Sequence, residues 1–197
     1  GAPMVVLTTG AWTPGLGRVL GREWDSQHVH GQALVTEASP RRLRNHISSA
    51  AFFEAMHEGE GHDAAPDNDT PAVLAVAQSH RGNFLLGEAG LITTDLGKRS
   101  TAAGQAAIAC EALRFLPALA GLRVLRGWAA PVAFTADGLP LLGPVAGLPG
   151  LILATAFKST VIVTPLVGRL IAQLVLGEQL ELDLAPFSPD RRITRNH

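Results

Sequence analysis

The segment that most constrains the fold is an uncharged stretch at residues 138–157, bounded by Asp137 and Lys158. It has the length of a bilayer span, for which about 20 apolar residues suffice. Pro140, Pro144 and Pro149 interrupt it, together with several glycines. Each proline removes a backbone donor that hydrocarbon cannot replace, so a lipid-spanning helix is disfavoured. The apolar side chains must then be buried by protein, in short pieces. Residues 151–155 read as a buried strand. Thr164 is expected to cap a helix with Pro165 at its first position, and Gly177 to end it. Val167, Leu170, Ile171, Leu174 and Val175 form the apolar face of that helix.

The rest of the chain mixes strands and helices. Residues 5–9 are an apolar, β-branched run ending at Gly10, which predicts a buried strand feeding a loop. Residues 32–37 alternate like a half-buried strand. Residues 73–77 and 83–87 predict two strands joined by a hairpin at His80-Arg81-Gly82. A strand at 124–134 carries Trp128. Residues 41–56 are expected to form a helix or irregular helical lid, and the acidic, Gly/Pro/Asn-rich residues 57–70 an exposed loop. Between these strands, Ser100 or Thr101 caps a helix with Ala109, Ala112, Leu113 and Leu116 on one face, stopped by Pro117.

At 47% hydrophobic and 17% charged residues, the chain can bury a sizeable core and is not disordered. A formal net charge of −1 gives no electrostatic reason to expect nucleic acid or an anionic membrane surface. The single cysteine, Cys110, excludes an internal disulfide framework and fits a reducing compartment. Residues 1–9 lack a basic leader, so the expectation is a cytoplasmic protein without a membrane span.

Three segments, in order, carry a family resemblance. The first is Val5-Val6-Leu7-Thr8-Thr9-Gly10-Ala11-Trp12. The second runs from Arg126-Gly127-Trp128 to Asp137-Gly138-Leu139-Pro140-Leu141-Leu142-Gly143-Pro144. The third runs from Pro149-Gly150-Leu151 to Phe157-Lys158-Ser159-Thr160 and on to Thr164-Pro165, and Phe187-Ser188-Pro189-Asp190-Arg191 comes after it as a closing segment. Together they resemble the glycine oxidase, D-amino-acid oxidase and opine oxidase superfamily of flavoenzymes.

The resemblance implies an α+β fold: a mixed, largely antiparallel sheet forming a substrate domain, with the remnant of an FAD-binding α/β domain. On that reading residues 1–31 are the C-terminal remnant of the FAD-binding domain, 32–135 the substrate-binding domain and 136–197 the return segment. Residues 5–9 and 151–155 should then be neighbours in one sheet remnant. No G-x-G-x-x-G occurs in the 197 residues. The expectation is therefore that the nucleotide-binding N-terminal half is missing and that this piece alone binds FAD weakly or not at all, with other subunits as possible partners.

By the same resemblance, FAD is contacted by Gly10, Ala11, Trp12, Gly143, Phe157, Lys158, Ser159, Thr160, Val161 and Ile162. Loop amides and a helix N-terminus would stabilise negative charge on the reduced flavin. The implied reaction oxidises an amine or amino acid to an imine by hydride transfer to flavin. Lys158, Trp128 and Val132 are the substrate-facing residues. Relatives acting on glycine carry an arginine where Val132 stands, and valine cannot clamp a carboxylate. An opine, D-amino acid or secondary amino acid is therefore the expected substrate. Thr160 stands where many relatives have glycine. No general base is evident, no histidine spacing matches a zinc site, and Cys110 lacks a nearby base. A non-catalytic small-molecule-binding or subunit-interface module is the alternative.

Overall fold

The structure is a computed structural model that describes residues 1–51, 72–92, 95–97, 99–158 and 161–193. It divides into two compact units, Gly1–His28 with Val132–His197, and Val29–Pro131.

The first unit holds a three-stranded sheet of β1 (Val5–Leu7), β7 (Leu141–Pro144) and β8 (Leu151–Thr155), in the order β1-β8-β7. β1 runs parallel to β8 with Val5 opposite Leu151 and Leu7 opposite Leu153, as the expected sheet remnant requires. β7 is antiparallel to β8. Successive strand residues face opposite ways. Leu153 joins Leu141, Trp24 and Val145 on one side, and Ala154 joins Leu142, Leu170 and Leu184 on the other. With both faces covered, the proline-broken stretch is apolar throughout because each of its strands is buried twice. β1 differs from expectation. It is three residues long and stands at the sheet edge, so Val5 is 45% exposed rather than buried.

Among the described residues this unit has two α-helices, α1 (Thr13–Val19) and α3 (Thr164–Leu176). Thr164 does not cap α3. The 3₁₀ turn Val161–Val163 runs straight into the helix, so Val163 occupies the cap position and Thr164 lies inside. Gly177 ends α3 in the left-handed region, at φ 69°, which glycine adopts without strain. Leu166, Val167, Leu170, Ile171 and Leu174 pack inward, whereas Val175 is 42% exposed.

The second unit is built on a five-stranded sheet ordered β3-β4-β5-β2-β6: β2 (Gln27–Ala38), β3 (Ile47–Ser48), β4 (Ala72–Gln78), β5 (Asn83–Ile92) and β6 (Val124–Phe134). β3 with β4, β4 with β5 and β5 with β2 are all antiparallel pairs. The β4–β5 hairpin turns as the sequence predicts, with Gly82 at φ 93° and its N–H donated to Ser79 O at 3.0 Å.

Leu34, Leu74, Val76, Phe84, Leu86 and Ala89 form the core under α2 (Ala102–Phe115), which adds Ile108 and Ala112. Thr101 caps α2, its Oγ1 accepting the Gly104 N–H at 3.0 Å. Ala109, Ala112 and Leu116 pack on the core as expected, Gly104 and Ile108 join them, and only Leu113 turns out, at 38% exposed. At Gly104 the missing side chain lets the helix settle on the buried Gln32 carboxamide. Residues 41–49 contain β3 and irregular chain rather than a helix. Residues 50–51 are helical, as expected for that lid, while its remaining residues, 52–56, and the expected loop at 57–70 lie outside the described residues. Among the described residues no helix is long and apolar enough to cross a membrane.

Candidate functional site

Parallel pairing sends β1 and β8 out at the same edge of their sheet, where open α/β sheets bind ligands. Beyond β1 comes the 3₁₀ turn Gly10–Trp12, leading directly into α1. Beyond β8 comes the loop Ala156–Lys158. Gly10, Ala11, Trp12, Phe157 and Lys158 thus leave the sheet at one end, although well over 100 residues separate the two segments.

Their local geometry is unusual. Gly10 has φ 52°, and a Cβ built there would meet nothing within 4 Å, so its flank is open. Ala11 is buried, whereas Trp12 is 46% exposed and not a core residue. Ala156 at φ 61° and Lys158 at φ 52° both occupy the left-handed region without being glycine. Such a conformation costs roughly 1–2 kcal/mol per residue, so surrounding contacts must hold it. One of them is the Lys158 N–H, donated to Ala133 O at 2.9 Å. That amide is therefore committed to Ala133, in the same unit. The Lys158 ammonium lies 6.0 Å from the centroid of the Phe134 ring, at the outer limit of a cation–π contact.

On β6, Ala129 and Ala133 are buried. Strand alternation puts Trp128 and Val132, both half-buried, on the opposite side of the strand. Arg126 is exposed.

Gly143 lies apart from the loops. It pairs with Leu153, two rungs from the Leu141–Thr155 pair at the loop end. At φ 137° the position needs glycine, and a Cβ there would touch Pro189 Cδ at 3.7 Å. Its neighbour is thus the closing segment. Phe157 packs against the cluster of Leu142, Ala154, Leu170 and Leu184. Val161 and Ile162 belong to the 3₁₀ turn before α3, with Ile162 85% exposed. Ser159 and Thr160 lie outside the described residues.

The features fit the flavin that the resemblance implies. Val163, at the cap position of α3, has no side-chain acceptor to neutralise the N-terminus of this 13-residue helix. A helix end of that kind favours negative charge. Among the described residues no cluster of three or more His, Cys, Asp or Glu could hold a metal ion. His57 and His62 lie outside the described residues, and Cys110 is exposed on α2.

Two features escaped the sequence reading. One is a chain of hydroxyls joining Thr9, Thr13 and Thr155. The only outward signal is threonine, rather than valine, after the apolar run of β1 and at the end of β8. The other is a bidentate ion pair from Arg191 to Asp137, with Nε–Oδ2 at 2.8 Å and Nη2–Oδ1 at 2.9 Å. Hydrogen bonding from Arg191 is the largest cause of an Asp137 pKa lowered from 3.8 to about 2, with Thr135 and Leu139 assisting against the opposing effect of burial.

A model of the FAD dependent oxidoreductase family, DAO, matches residues 1–174. Glycine oxidase of Pseudomonas aeruginosa is 27% identical over 190 residues, covering 96% of this chain and 46% of that protein. An opine oxidase subunit of Rhizobium meliloti is 29% identical over 189 residues, covering 95% of this chain and 43% of that protein. The crystal structure of glycine oxidase from Geobacillus kaustophilus superposes with a TM-score of 0.81 at 24% identity, covering 98% of this chain and 47% of that one. At that identity the likeness speaks for the fold alone. The chain spans about half the length of the curated relatives it matches.

Proposed function

Because the chain belongs to the FAD dependent oxidoreductase (DAO) family, we propose that it forms part of an enzyme oxidising an opine, a D-amino acid or a secondary amino acid to an imine. When bound, FAD supplies the acceptor for the hydride lost from the substrate carbon next to nitrogen.

The protein's part is orientation and electrostatics. Gly10, Ala11 and Trp12 after β1, and Phe157 and Lys158 after β8, are the described residues assigned to hold the cofactor. Val161 and Ile162 lead into α3, whose N-terminus favours negative charge beside them. Ser159 and Thr160 complete the assignment. Gly143 is retained in it only as support for β8, given its distance from the loop end. Residues 32–135 are assigned to the substrate, with Trp128 and Val132 facing it from β6, and residues 1–31 and 136–197 to the cofactor. The relative named as a subunit of an opine oxidase supports operation alongside other subunits. The lone cysteine suits a cytoplasmic setting.

One observation carries the substrate reading: Val132 stands where the family resemblance expects a carboxylate-binding arginine, while Lys158 is tied by its amide to Ala133, the next residue. The Lys158 ammonium, 6.0 Å from the centroid of the Phe134 ring, is then assigned to the substrate carboxylate.

The test is Lys158→Met in the complete enzyme, assayed on D-amino acids, opines and N-methyl amino acids. A charge-assisted bond of roughly 1.5–3 kcal/mol corresponds to an approximately ten- to hundredfold fall in kcat/KM. Rates that all stay within about twofold, equivalent to under ~0.5 kcal/mol, would show that Lys158 does not serve the substrate.

A further inference from the structure

At the carboxyl ends of β1 and β8, three threonines form a hydroxyl chain to which neither cofactor nor substrate binding assigns a role. Thr9 Oγ1 lies 2.8 Å from Thr13 Oγ1, and Thr13 Oγ1 lies 3.0 Å from Thr155 Oγ1. Thr155 donates to the Gly10 carbonyl at 3.3 Å. Thr13 is 0% exposed and Thr155 2% exposed. A hydroxyl has one proton to give, so the order of donation is set from its end. Thr155 donates to Gly10 O, Thr13 donates to Thr155, and Thr9 donates to Thr13.

Packing alone does not account for these hydroxyls. At Thr155, the last residue of β8, valine has nearly the same shape and suits a strand equally well, and at Thr13, the first residue of α1, it would fill the same space. A buried hydroxyl is costly unless it is bonded, so its presence makes sense where the bonds join something. They join the two segments assigned to the cofactor. Gly10 opens the turn after β1 at φ 52°, and Thr155 directly precedes Ala156, at φ 61°. Both backbones are in the left-handed region, and the hydroxyl chain links them through side chains.

We propose that Thr13 and Thr155 are positioning residues for FAD, locking the Gly10–Trp12 turn to the Ala156–Lys158 loop so that both meet the cofactor in one fixed arrangement. The proposal rests on the flavin reading under Proposed function. Neither threonine is assigned a contact with the reacting atoms. Their effect is to remove the freedom of two distant chain segments before the cofactor arrives, which is the general basis of affinity by preorganisation.

Thr13→Val and Thr155→Val remove the hydroxyl and keep the shape, whereas Thr13→Ser and Thr155→Ser keep the hydroxyl. In the complete holoprotein, the readouts are the FAD dissociation constant from flavin fluorescence, the visible flavin absorption band and urea unfolding of the apoprotein. The expected result is an approximately five- to tenfold rise in the FAD Kd for each valine variant, the equivalent of one net hydrogen bond. The flavin band should shift with it, and serine should restore both. If Thr155→Val does not fold, Thr13→Val, which removes the donor to Thr155, carries the test by itself. A Kd within twofold of wild type and an unchanged band, even beside a destabilised apoprotein, would reduce the threonines to a structural role and overturn the proposal. So would a Kd rise that the serine variants share. Wild-type protein that takes up no FAD overturns the flavin reading itself and this proposal with it, whereas binding by wild type beside unaffected variants overturns this proposal alone.

Discussion

Removing the Arg191 guanidinium should destabilise the first unit by a pH-dependent amount. Arg191 donates twice to Asp137 and also to Pro140 O at 3.0 Å, Leu139 O at 2.8 Å and Ser188 O at 3.2 Å. The side chains of Arg191 and Asp137 are only 11% and 18% exposed, so this pair is not an ordinary surface ion pair. Asp137 keeps two other donors, the Thr135 hydroxyl at 2.7 Å and the Leu139 N–H at 3.0 Å. The Asp137 pKa falls from 3.8 to about 2. At 1.36 kcal/mol per pKa unit, that shift corresponds to roughly 2 kcal/mol of stability. Breaking a buried pair from one side costs about 3–5 kcal/mol, and the partial exposure here puts Arg191→Met at or below the lower end, about 2–3 kcal/mol.

The sign is fixed by the direction of the shift. A carboxylate with a depressed folded-state pKa stabilises fully above its unfolded value and loses that contribution as pH falls through the folded value. The difference between wild type and Arg191→Met should therefore be constant from neutral pH down to about 5. It should shrink between there and pH 2 as Asp137 takes up its proton. Urea unfolding across that range measures it. Asp137→Asn sets the carboxamide NH₂ against the arginine donors and should cost a similar amount, and the double variant should show strong coupling. A loss below ~0.5 kcal/mol at pH 7, or one that does not vary down to pH 2, would refute the reasoning and make the pair one more weak surface contact.

Two further substitutions test the strained and crowded glycine-related positions. Ala156→Gly loses a buried methyl and pays chain entropy, together about 1.5 kcal/mol, but relieves a left-handed alanine worth about the same. Its urea midpoint should stay near that of wild type, and a loss above ~1.5 kcal/mol would show that the loop is unstrained. Gly104→Ala should destabilise despite a helix-propensity gain of about 1 kcal/mol, because the new Cβ would sit 2.5 Å from the Gln32 Oε1 that accepts the Thr101 N–H. A rise in thermal midpoint would mean that Gln32 can move aside.

Much of this fold is legible from local pattern. The run 151–155 reads as a buried strand and is one, because apolar β-branched and aliphatic residues between Gly150 and a polar end leave few alternatives. The hairpin at residues 79–83 is equally legible from Gly82, whose φ of 93° other residues resist. Where reading failed, the missing information was tertiary. The contact of Gly104 with Gln32 was not read from α2, because nothing in the helix's own periodicity announces a partner 72 positions earlier. The cap of α3 shifted by one residue because a 3₁₀ turn precedes it, and such turns carry no pattern of their own.

The candidate site was harder to read than the fold for a physical reason. Its geometry comes from pairs of segments, each ordinary alone. Gly10 is merely a glycine after a strand until Thr155 donates to its carbonyl. Asp137-Gly138 is an ordinary turn until Arg191 spans its carboxylate and three nearby carbonyls. Gly143 pairs in mid-strand, yet its bare Cα admits Pro189, from the same closing segment that supplies Arg191. These contacts tie β7, the turn before it and residues 188–191 into one piece, so β8 is held from the β7 side without the loop after it taking part. The strain at Ala156 and Lys158 can then persist, because the strand that launches them is fixed by β1 on one side and the stapled β7 on the other. A substitution that loosened the staple should for that reason reach the loop only through β8, lowering stability before it alters the loop's own conformation.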